Sequence, residues 1–146
     1  MTYSRMFFMM FMATPALAAP QVFDCAGAQV RIEVLEKAPL DTVLKVVRGE
    51  RTTQLNFNDI DFIGGDCMAG RLGKPLIVFQ AVCGGSGCQD LANWGVIDPL
   101  SLKVLLIPSD NPDEVGKLLL STPVPFKSGR MVDIGQEASR LGVDVP

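Results

Sequence analysis

The chain has 146 residues, four cysteines, no histidine and a formal net charge of −3. That length sets one domain as the expectation. The missing imidazole excludes Ser-His-Asp and Cys-His catalysis and most catalytic zinc sites, while the acidic balance argues against nucleic acid and anionic membrane surfaces as partners.

The first twenty residues read MTYSRMFFMMFMATPALAAP. Arg5 is their only charge, residues 6–12 are apolar, and Ala16-Leu17-Ala18 puts small residues where a signal peptidase reads them. The expectation is a Sec-type signal peptide over 1–18, cleaved after Ala18, with a periplasmic or secreted destination. An uncleaved anchor is the alternative, but the apolar run is shorter than the roughly 20 residues a spanning helix needs. No transmembrane segment is therefore expected after cleavage. A single Arg argues against a twin-arginine route. Losing Arg5 takes the net charge from −3 to −4 and leaves residues 19–146 as one β-rich domain.

Val30, Ile32 and Val34 alternate with Gln29, Arg31 and Glu33, the pattern of a half-buried strand that Pro39 ends. Residues 42–48 (TVLKVVR) predict a second strand, Gly49-Glu50 a hairpin turn, and 52–57 a returning third strand. Ile60, Phe62 and Ile63 form a short apolar patch before Gly64-Gly65. Residues 75–83 (PLIVFQAVC) are apolar at nearly every position, which places them centrally in a sheet. With 94–98 and 102–107 they predict three successive antiparallel strands, turning at Pro99-Leu100-Ser101.

Ser109, Asp110 and Asn111 are candidate helix caps, Pro112 suits a first turn, and Asp113 and Glu114 suit its positive end. Val115, Leu118 and Leu119 then share one face. This predicts one short helix near 112–120. Gly129, Gly135 and Gly142 interrupt the C-terminal stretch, so 128–146 are expected to be a loosely held tail, with one helical turn at most over 137–141. The fold class expected is mainly β, with α+β as the alternative: a small antiparallel meander or sandwich-like domain stapled by two disulfides.

An even cysteine count in an oxidising compartment reads as disulfides. Of three connectivities we favour Cys83–Cys88, whose intervening GGSG can turn sharply, and Cys25–Cys67. Zinc would want a second closely spaced pair, and a thioredoxin-like role would want C-x-x-C rather than C-x₄-C.

Ser86 in GGSGC resembles a nucleophile elbow, but Cys88 stands where the second glycine belongs. No Lys-Ser or Lys-Thr follows the glycines, which excludes a phosphate loop. Asp59, Asp61 and Asp66 cluster in NDIDFIGGD; Ile63 and Gly70 break the calcium-loop pattern, so a solvated acidic loop is the expectation. Trp94, the only tryptophan, is expected in the core, with interface as the second reading.

No catalytic residue, metal site or cofactor is assigned. The expected function is a non-catalytic binding protein, of the inhibitor or immunity kind, acting on another protein through a tip loop of Gly84, Gly85, Ser86 and Gly87 flanked by Trp94. The alternatives are an envelope structural or assembly accessory, and a carboxylate-dependent hydrolase using Asp59, Asp61 and Asp66.

Overall fold

Alternating apolar and polar side chains over 28–34 do produce a strand with one buried face. In the computed structural model, which describes residues 21–35, 41–83, 94–108, 112–124 and 130–143, that strand is the second of nine. Strands β1 (Gln21–Cys25), β2 (Ala28–Leu35), β3 (Asp41–Arg48) and β4 (Arg51–Asn58) form a four-stranded antiparallel meander in sequential order. The expected Gly49-Glu50 turn joins β3 to β4, with Gly49 at φ 59°, a conformation that glycine adopts without a Cβ penalty. Val30, Ile32, Leu44 and Val46 are buried on one face. Arg31, Lys45 and Gln54 stand in register across the other.

The second sheet holds β5 (Phe62–Ala69), β6 (Pro75–Val82), β7 (Trp94–Ile97), β8 (Val104–Leu106) and β9 (Met131–Asp133), in the order β8-β7-β6-β5-β9. Strand β6 is central, as its unbroken apolar run predicts, because both of its faces are covered. Ile77, Phe79 and Ala81 pack toward the first sheet. Leu76 and Val78 join Trp94, Val96 and Leu120 in a second core under helix α1 (Pro112–Leu119). The layers are therefore sheet, sheet and helix. In β8, Val96 pairs with Leu106 and Ile97 with Val104, which leaves Leu105 as an extra residue. That bulge turns Val104 into the first core and Leu106 into the second.

Three expectations need correction. The apolar patch at 60–63 does not stop at Gly64-Gly65: β5 runs through both to Ala69. These glycines reflect close packing, since a Cβ on Gly65 would lie 2.5 Å from the Val78 carbonyl and one on Gly64 2.8 Å from Met131 Cα. The tail is not loose over 130–143: β9 pairs with β5, and a second helix, α2 (Ile134–Leu141), buries Ile134 and Ala138. The described residues thus hold two short helices, not one. Asp133 caps α2 by accepting a 2.9 Å hydrogen bond from the Gln136 N–H, and Gly142 ends it at φ 73°. Segment 21–25, unassigned by periodicity, forms β1.

Cys25 and Cys67 are disulfide-bonded, with Cα atoms 5.2 Å apart, and tie β1 of one sheet to β5 of the other. No described helix is long and apolar enough to cross a membrane. The predicted leader, 1–18, lies outside the described residues.

Candidate functional site

Strands β6 and β7 are hydrogen-bonded neighbours whose register runs from Ile77 opposite Ile97 to Gln80 opposite Trp94. Gln80 and Trp94, both buried, form the last pair before the connection between these strands. On the other side of β6, Val82 faces Phe62 of β5, and its carbonyl accepts a 3.0 Å hydrogen bond from the Asp61 N–H. The connection thus leaves and re-enters the sheet on two buried strands. Cys83, its first residue, is disulfide-bonded. Gly84, Gly85, Ser86, Gly87 and Cys88 lie outside the described residues, as does the Cys88 end of the predicted Cys83–Cys88 bridge.

Trp94 does not face solvent. It is 5 % exposed, and its ring lies against Gly116 of α1. Its place is in the second core, where the indole anchors the start of β7.

The three aspartates do not converge. Asp59 and Asp61 are exposed on the β4–β5 connection. Asp66 lies five residues further along β5, about 16 Å from Asp61 at the usual strand rise. Its carboxylate instead accepts a 2.8 Å hydrogen bond from the Cys67 N–H and faces Arg130 at 3.4 Å. Arg130 in turn lies over the Phe23 ring, 5.6 Å from its centroid, so this ion pair closes the edge where the two sheets meet. A retaining or inverting pair of carboxylates needs a separation below roughly 10 Å. Among the described residues no group of three or more Cys, Asp or Glu side chains is arranged to hold a metal ion.

The shifted acids are structural. Two donors, the Leu100 N–H at 2.8 Å and the Ser101 hydroxyl at 2.8 Å, hold the Asp98 carboxyl below its ordinary range; the backbone donor is the larger cause, and Lys74 adds a favourable charge. Asp98 thereby fixes the β7–β8 turn, which its own carbonyl closes by accepting from the Leu102 N–H at 2.8 Å. Glu137 is lowered by its hydrogen-bonded ion pair with Arg140 on α2.

Sequence reasoning missed a different gathering of charge. Arg48 donates to the carbonyls of Ala26 and Pro99, Arg51 donates to that of Leu100 at 2.8 Å, and Thr53 donates to that of Leu102 at 2.7 Å. These bonds fasten the β1–β2, β3–β4 and β7–β8 turns together at the end of the molecule away from Val82 and Trp94. No single segment carries a signal for this, because the residues come from three hairpins. No family model matches the chain, and no curated protein or solved structure matches it significantly.

Proposed function

We propose that the domain is an exported, disulfide-bonded, non-catalytic binding protein, of the inhibitor or immunity kind, that engages another protein through the Gly84–Gly87 segment. One observation carries the reading. Antiparallel neighbours such as β6 and β7 need only about two to five residues to connect them, yet eleven separate Val82 from Trp94, starting at a disulfide-bonded Cys83. Such excess length on a rigid base is typical of segments that bind, and a covalent constraint lowers the ordering entropy lost on association. Trp94 serves that base from within the core. Export to the periplasm or beyond fits the Cys25–Cys67 cross-link, since disulfides persist in oxidising compartments.

The test is photo-crosslinking in the exported protein from a reactive residue at position 86, with one at Gln54 on the solvated sheet face as control. A specific adduct at 86 only, lost in Ser86→Arg, supports the reading. Adducts that are the same from both positions, or unaffected by loop changes, remove the loop as the binding element.

The envelope-accessory reading draws on exposed apolar side chains, Leu118 at 70 % and Ile107 at 63 %. It predicts a complex larger than a monomer on size exclusion; a clean monomer rejects it.

A further inference from the structure

The end of the sandwich away from Val82 and Trp94 differs in charge from the acidic balance of the chain. Four connections meet there, the β1–β2 turn among them through the Arg48 bond to the Ala26 carbonyl. The β3–β4 turn brings Arg48, Glu50 and Arg51; the β5–β6 connection, 70–74, brings Arg71 and Lys74; the β7–β8 connection, 98–103, brings Asp98 and Lys103. Their common location is fixed by the Arg51 bond to Leu100, the Arg48 bond to Pro99, and the pairing of β6 with both β5 and β7, which brings 70–74 and 98–103 to the same end of the sheet. With Asp24, exposed just before the β1–β2 turn, five cations therefore face three carboxylates. One of those, Asp98, is occupied by the Leu100 N–H and the Ser101 hydroxyl. The carbonyls that receive Arg48 and Arg51 orient the guanidinium groups without neutralising them.

Two of these connections also carry leucines that the fold does not bury. Leu72 is 88 % exposed and Leu100 is 49 % exposed. Each is flanked by cations: Arg71 and Lys74 bracket Leu72, and Arg51 holds the Leu100 carbonyl. The 70–74 connection is itself well held. Gly70 N–H donates to Lys74 O at 2.7 Å, Arg71 N–H to Leu119 O at 2.9 Å, and the Ser121 hydroxyl to Gly70 O at 2.7 Å. Leu72 is thus presented on an ordered base, at no packing benefit to the fold.

We propose that this end docks on an anionic lipid surface, with Leu72 and Leu100 entering the headgroup–acyl boundary and Arg48, Arg51, Arg71, Lys74 and Lys103 facing the headgroups. Charge complementarity selects the occupant: an excess of cations concentrated at one end of an acidic chain is attracted to a negative surface while the remainder is repelled, which sets orientation as well as affinity. Exposed leucines within a ring of cations are the composition that inserts at an interface. Docked this way, the domain points the Val82 end of β6 and the Trp94 end of β7 away from the lipid.

The experiment uses protein recovered after export, its leader removal verified by mass, sedimented with vesicles of phosphatidylcholine alone or mixed with phosphatidylglycerol. The expected result is binding to the mixed vesicles only, weakening as salt is raised. Arg71→Gln with Lys74→Gln should weaken it on the order of tenfold or more. Leu72→Asn with Leu100→Asn should weaken it by at least about tenfold, and Lys45→Gln on the solvated sheet face should leave it unchanged. Unaltered Trp94 emission verifies that each variant is folded. Absence of binding to mixed vesicles overturns the proposal. So does binding that ignores the leucine changes and is displaced by soluble polyaspartate, which would assign this end to an acidic polypeptide.

Discussion

Gly116→Ala sets two effects of opposite sign against each other. Alanine in a helix interior is favoured over glycine by about 1 kcal/mol. In α1, however, the new Cβ would lie 3.2 Å from Trp94 Cζ3 and closer still to Cζ2 and Cη2. Trp94 has no room to yield, being 5 % exposed and packed among Val78, Val96 and Leu120. Either the indole leaves its seat or α1 lifts from β6 and β7, and overpacking of this kind costs about 1–3 kcal/mol. We therefore expect a net loss of up to about 2 kcal/mol in denaturant unfolding, despite the better helix former. Trp94 is the only tryptophan, so the same titration reports the site directly. Native emission should shift to the red as the indole is displaced. In a Trp94→Phe background the smaller ring admits the methyl group, and Gly116→Ala should become neutral or stabilising by circular dichroism, a coupling of roughly 1–3 kcal/mol. A gain of about 1 kcal/mol in the wild-type background, with emission unchanged, would refute the packing of α1 on Trp94.

Replacing both Cys25 and Cys67 by alanine releases a cross-link spanning 42 positions, and urea unfolding should show a loss of about 4 kcal/mol. Thr42 is fully buried and its hydroxyl has no hydrogen-bond partner among the described residues, so Thr42→Val should raise stability by about 1 kcal/mol and the thermal midpoint by roughly 3 °C. Asp98 has a folded-state pKa below its ordinary 3.8, so its contribution is complete above that value and disappears as pH falls through the folded pKa. Thermal midpoints followed from pH 7 to pH 3 should accordingly fall less steeply in Asp98→Asn than in wild type, and parallel curves would contradict the role of the Asp98 turn.

Much of the first sheet was legible because its signals are local. The alternation across 29–34 and the Gly49-Glu50 turn act within one or two strands, and each fixes which face is buried. The apolar run of β6 identified a strand covered on both sides. The same logic misread β5 and the tail. Gly64 and Gly65 resemble a strand terminator in one dimension, but they are glycine because the β6 and β9 backbones approach them. Gly142 resembles an interruption, but it is the stop signal of α2. At the candidate site the sequence indicated the Cys25–Cys67 pairing; the burial of Trp94 under α1 and the separation of Asp66 from Asp61 are consequences of register.

By itself, then, the sequence determined the strand periods, the turn residues, the short helix at α1 and the absence of imidazole chemistry, since each depends on residues a few positions apart. Only the tertiary structure decided that β8 bulges at Leu105, that 130–143 close the second sheet, and that cations from three hairpins share one end of an acidic molecule. Those outcomes depend on which strands become neighbours, and neighbourhood is set by the burial of two cores at once, a quantity no single segment contains.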